Sequence, residues 1–123
     1  MHPAQATARS EALLQAVHDG AIIKVPALWS LEAANALLVL VRRGKVTAEE
    51  REDALSALAG LRAEVDYEMA SLAFTKLSEL ASEHRLSVYD AAYLELALRT
   101  KLPLACHDGP LREAAKRCRV RLP

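Results

Sequence analysis

The apolar positions follow two rhythms that alternate along the chain. Ala4 to His18 places Leu13, Leu14 and Val17 at helical spacing and stops at Asp19-Gly20, which predicts a first helix. Ala21 to Val25 is short and β-branched, bounded by Gly20 and Pro26, and reads as a buried parallel strand. Leu28 to Arg43 is the strongest helical stretch, closed by a basic last turn and Gly44. Thr47 with Glu50 three residues on predicts a capped helix running to about Leu61. Ala63 to Asp66 suits a short strand, and Glu68 to Glu83 a further helix ending near His84-Arg85. Ser87 and Asp90 have the spacing of a helix cap and open an apolar helix, on which the rest of the chain is organised. A strand over Leu102 to Cys106, a helix from Pro110 to about Lys116 and a last strand over Arg119 to Leu122 complete the pattern. Strands alternating with helices predict an α/β domain: a parallel sheet with helices on its faces.

Composition sharpens this picture. The 123 residues fit one domain with its own core. The chain is 52% hydrophobic but only 4% aromatic, so Ala and Leu must supply the packing, which favours helices in close contact. Formal net charge is zero, which excludes a global basic field. The charges are segregated all the same. Seven acids lie between Thr47 and Ala70 against two arginines, and seven basic residues lie from Arg99 onward against Asp108 and Glu113. A basic rim near Asp108 could hold phosphates; solvated helix faces are the plainer explanation. Cys106 and Cys118 form no zinc or redox pattern and read as small buried thiols of a reducing compartment. The first 20 residues lack the apolar core of a secretory signal, and the longest apolar run, Ala36 to Val41, is too short to span a bilayer. A cytoplasmic protein without a membrane segment is expected.

Three acids stand out. Glu32 and Asn35 share a face of a helix that is otherwise almost wholly apolar. Asp90 lies in the first turn of its helix, where negative charge is favoured. Asp108 precedes Gly109-Pro110 and suits the cap of the following helix. Singly, each has a structural explanation: Glu32 keeps a face wet, and Asp90 and Asp108 cap helices. Together they suit a hard divalent cation, Mg²⁺ or Mn²⁺, which takes oxygen ligands and activates water for phosphodiester hydrolysis. His107 reads as a loop residue, and His2, His18 and His84 as surface positions. Tyr89 and Tyr93, four apart, suit packing more than base stacking. No nucleophile elbow or phosphate-binding glycine loop occurs.

Three segments resemble PIN-domain proteins of the VapC toxin type. Val25-Pro26-Ala27-Leu28-Trp29-Ser30-Leu31-Glu32-Ala33-Ala34-Asn35-Ala36-Leu37 is similar to their "VPALWxxEvaNaL" segment. Leu86-Ser87-Val88-Tyr89-Asp90-Ala91-Ala92-Tyr93-Leu94 is similar to "LsxYDaxYLxLA", and Pro103 to Leu111 to "PLATxDxxL". They occur in family order and span nearly the whole chain. The resemblance implies a PIN-like three-layer α/β/α domain over residues 1–123 with a short parallel sheet. It implies a Mg²⁺- or Mn²⁺-dependent endoribonuclease, a homodimer, neutralised by a VapB-type antitoxin. Carried over by motif, Glu32, Asp90 and Asp108 match the family's metal-site acids and Asn35 a supporting position. Cys106 stands where the family has Thr or Ser, which removes a hydroxyl that orients the site.

The family's opening strand, ending in Asp-x-Ser, has no counterpart before His2-Pro3-Ala4-Gln5-Ala6, so the chain reads as N-terminally shortened relative to the family. Asp19 follows a predicted helix and fits a turn, not that strand. With three acids in place of four, weak metal binding and impaired cleavage are expected. A non-catalytic PIN-like module that dimerises and binds an antitoxin-like peptide through the Leu37–Val41 run and the Ala-rich helices is the alternative reading; a helical regulatory domain without a metal site is a third.

Overall fold

Strand β1 covers Ile23–Pro26, and its burial follows the β alternation: Ile23 and Val25 are buried and Lys24 is exposed. It pairs in parallel with β2, Ala63–Asp66, in a two-stranded sheet. The Ala27 N–H continues the pairing by donating to the Asp66 carbonyl at 3.0 Å. These are features of a computed structural model, which describes residues 23–104 and 109–122. The predicted first helix, Ala4 to His18, lies outside the described residues, as do Ala21, Cys106, His107 and Asp108. The described chain is mixed α/β and mostly helical.

It forms two compact units. The first holds Ile23 and Leu28–Ala63, and is built on two helices. Helix α1, Trp29–Arg42, buries Trp29, Ala33, Ala36 and Leu37, an i, i+4, i+7, i+8 stripe. It ends as its sequence predicts. Gly44 takes φ 70°, and the Lys45 N–H reaches back to the Leu40 carbonyl at 2.9 Å. Helix α2, Ala48–Ala59, contacts α1 but buries no residue fully. It begins on the predicted capping box: Glu50 N–H donates to Thr47 Oγ1 at 3.0 Å and Thr47 N–H to Glu50 Oε1 at 3.1 Å.

The second unit holds Lys24–Ala27 and everything from Glu64. Its helical stretch from Met69 to His84 was expected to be one regular helix. It consists of α3 (Met69–Leu72), a π-helical segment (Ala73–Leu77) and α4 (Ser78–His84). The wider turn lets Ser78 Oγ donate to the Ala73 carbonyl five residues back, at 2.7 Å. Helix α5, Val88–Thr100, is the centre of the unit: Ala91 to Ala97 are buried without a break. A helix buried all round needs apolar residues nearly all round, which this stretch supplies at every buried position but Glu95. Helix α6, Pro110–Arg117, packs on α5 and buries Leu111, Ala114 and Ala115. Gly109, at φ 121°, holds its cap position, a place expected for Asp108; the glycine permits that backbone.

The two C-terminal strands are not formed in the described residues. Residues 102–104 and 119–122 are irregular and share one backbone hydrogen bond, Leu104 N–H to the Arg121 carbonyl at 2.9 Å. The left-handed Arg119, φ 58°, reverses the chain there and breaks the extended conformation.

Candidate functional site

Glu32 stands in the first turn of α1 and Asp90 in the first turn of α5. Both are half-buried. The two turns differ in construction. Leu28, which leads into α1, is helical itself and supplies no side-chain cap. At α5, Ser87 is extended and its Oγ accepts the Asp90 N–H at 3.0 Å, as the sequence predicts. The cap fixes the backbone of Asp90, and the first-turn N–H groups favour its negative charge. Asn35, the expected supporting residue, is exposed on α1. Asp108 lies outside the described residues. Among the described residues, no three His, Cys, Asp or Glu side chains form a metal-holding group. In kind, the carboxylates of Glu32 and Asp90 fit a hard divalent cation: each is an oxygen donor, partly withdrawn from water on a helical backbone.

The densest charged cluster of the second unit was not foreseen. Arg99, on the last turn of α5, gathers three carboxylates. Its Nη1 and Nη2 donate to Asp66 Oδ1 and Oδ2 at 3.0 and 2.8 Å, a bidentate fork. Its Nε donates to Glu95 Oε2 at 3.0 Å, and Nη1 stands 3.5 Å from Glu68 Oε2. Glu95, with 7% of its surface exposed, is the one buried charged residue of the described chain. The hydrogen bonds it donates to Asp66, then those to Glu95, hold the Arg99 guanidinium protonated more firmly than an ordinary arginine. The cation already sits where these acids converge, so the cluster ties the end of β2 to α5. The spacing of Glu95 and Arg99, four apart on a helix, was a readable signal; the partnership of Asp66 was not.

A second unforeseen pair is His84 and Cys118. His84 was expected at the surface, yet its side chain is only 10% exposed. Its Nε2 lies 3.4 Å from Cys118 Sγ, and Arg117 Nε donates to its Nδ1 at 3.5 Å. Cys118 is half-buried, and burial first, then the nearby Glu83, pushes its thiol pKa up, with Arg117 opposing. It is a protonated packing thiol rather than a reactive thiolate. Tyr93 is buried in the core, whereas Tyr89 is exposed.

No family model matches this chain, and no curated protein matches it. No helix of the described residues is long and apolar enough to cross a membrane.

Proposed function

We propose that this chain is a metal-dependent endoribonuclease of the PIN-domain, VapC-toxin type, with a PIN-like three-layer α/β/α fold. The observation that carries the reading is Asp90: a half-buried carboxylate on the capped first turn of a helix that is buried from Ala91 to Ala97. The ordered resemblance of three segments to that family supports it, and so does a parallel strand pair in a mixed α/β chain. Glu32, Asp90 and Asp108 would hold Mg²⁺ or Mn²⁺, and Asn35 would support them. Bound there, the ion supplies Lewis-acid stabilisation and a more acidic water for phosphodiester hydrolysis. The chain's own part is to hold carboxylate oxygens on helical backbone so that little reorganisation is needed. The same reading makes RNA the substrate, a VapB-type antitoxin and a second copy of the chain the partners, and the cytoplasm the location.

A second reading is a non-catalytic PIN-like module for dimerisation and antitoxin binding. In its Leu37–Val41 run, Leu37 is buried and residues 38–41 are half-buried. Tyr67, Phe74 and Tyr89 are exposed and offer this reading apolar contact surface.

Cleavage of a structured RNA by the purified chain separates the two. The ribonuclease reading expects cleavage with Mg²⁺ or Mn²⁺, none in EDTA, and none by Asp90→Asn, which keeps the Ser87 cap because that bond uses the backbone N–H. A folded chain that cuts under none of these conditions would leave the binding module as the better account.

A further inference from the structure

The C-terminal segment concentrates basic charge on a short length. From Arg112 to Arg121 it carries Arg112, Lys116, Arg117, Arg119 and Arg121 against one carboxylate, Glu113. Leu111, Ala114 and Ala115 take the core side of α6, so the cations stand on the remainder. Lys116, Arg117, Arg119 and Arg121 are exposed and Arg112 is half-buried. Arg112 and Lys116 are four apart, on one face and about 6 Å apart along the axis.

The chain reversal at Arg119 carries the last residues back beside this helix. Val120 N–H donates to the Ala115 carbonyl at 2.9 Å. The bond from Leu104 N–H to the Arg121 carbonyl then brings exposed Lys101 into the group, and Arg121 Nη2 reaches the Lys101 carbonyl at 3.5 Å. Among the described residues, the one carboxylate that pairs with any of these six cations is Glu113, 3.5 Å from Lys116. A merely solvated helix face interleaves its charges in pairs. Arg99, a few residues away in sequence, shows what saturation looks like here, with three acids around one cation.

We infer that Lys101, Arg112, Lys116, Arg117, Arg119 and Arg121 form a binding surface for the phosphate backbone of single-stranded RNA. Residues 101–123 contain no Phe, Trp or Tyr, so the surface lacks a base-stacking platform and binds by charge, with little sequence preference. The choice of RNA rests on the ribonuclease reading; the charge pattern by itself asks for an extended polyanion.

The test is binding of a fluorescein-labelled 20-nucleotide oligouridine in EDTA, followed by anisotropy across a salt series. Two double variants are compared with the unmodified chain, each checked for folding by circular dichroism. Arg119→Gln with Arg121→Gln removes two cations of the surface. Arg42→Gln with Arg43→Gln removes two exposed cations at the end of α1. The log–log salt slope should fall by about 1.4 for the first pair, about 0.7 per lost phosphate contact on a single strand, and stay unchanged for the second. Should the first pair misfold, Arg112→Gln with Lys116→Gln gives the same reading from within α6. Equal losses from both pairs, or no loss from either, would overturn the assignment. Localised binding without cleavage in Mn²⁺ would sink the ribonuclease reading and leave the surface standing; cleavage with an unchanged slope would do the reverse.

Discussion

Arg99 shows how much rests on one side chain. Its Nε and Nη2 engage Glu95, a carboxylate with almost no access to water, while its fork holds Asp66. Replacing it with Met keeps the stem but strands Glu95 as an uncompensated buried charge. Arg99→Met should destabilise the fold by about 3 kcal/mol in urea denaturation, and adding Glu95→Gln should recover part of that loss. Lys101 offers a gain instead. It closes α5 in the left-handed conformation, φ 58°, where a Cβ is strained and glycine is not. Lys101→Gly should raise stability by roughly 1 kcal/mol in the same assay. At this scale the sequence was partly readable. Glu95 and Arg99 stand at helical pairing distance, but Asp66 is 33 positions from Arg99 and joins only through the fold. The left-handed residues Arg85, Lys101 and Arg119 carry no sequence mark at all, since none is Gly or Asn.

Elements were most readable where local hydrogen bonds decide them. Thr47 and Glu50 form both bonds of their box, and these bonds hold the Glu50 carboxyl below its ordinary pKa of 4.5, the backbone bond contributing most. A lowered pKa means that the folded state prefers the charged carboxylate. The resulting stabilisation is complete above pH 4.5 and is lost as the pH falls through the folded value. Glu50→Ala removes the carboxylate and with it the bond from the Thr47 N–H. Its stability deficit against the unmodified chain, measured by thermal melts, should be largest near pH 6 and shrink below pH 4. The bond from the Glu50 N–H to Thr47 Oγ1 is kept in this variant and does not titrate, so the pH-dependent part of the deficit belongs to the carboxylate. The π-helical segment marks the limit of such local reading. Residues 68–83 look like one helix because a single inserted residue shifts the apolar register only once. Its effect is visible in Phe74, left 96% exposed, and that follows from tertiary placement rather than pattern. Residues 102–104 fail in the opposite sense. They have the composition of a strand, yet in place of a strand ladder they share one backbone bond with Arg121.

For the molecule as a whole, the α/β character and the central place of α5 were legible, because Ala91 to Ala97 are apolar at every buried position but Glu95. The candidate metal site was legible only as a list of acids. Spacing puts Glu32 and Asp90 on first turns, but no local rule brings residues from separate elements to one ion. Thermodynamic linkage tests that last step without any RNA. An ion that binds the folded chain and not the unfolded one must stabilise it, by about 1.4 kcal/mol for each tenfold rise in free ion above the dissociation constant. Mn²⁺ titrated into the protein should therefore raise the melting temperature progressively, with Asp90→Asn flattening the response. Arg99→Met is the informative control. It lowers the starting stability through a different set of carboxylates, so its melting temperature should still climb with Mn²⁺ in parallel with the unmodified chain. If Mn²⁺ left the unmodified chain unmoved at millimolar concentration, the acids named here would be helix caps and wetting groups, and the metal-dependent reading would fall. If Asp90→Asn responded like the unmodified chain, the ion would be bound elsewhere.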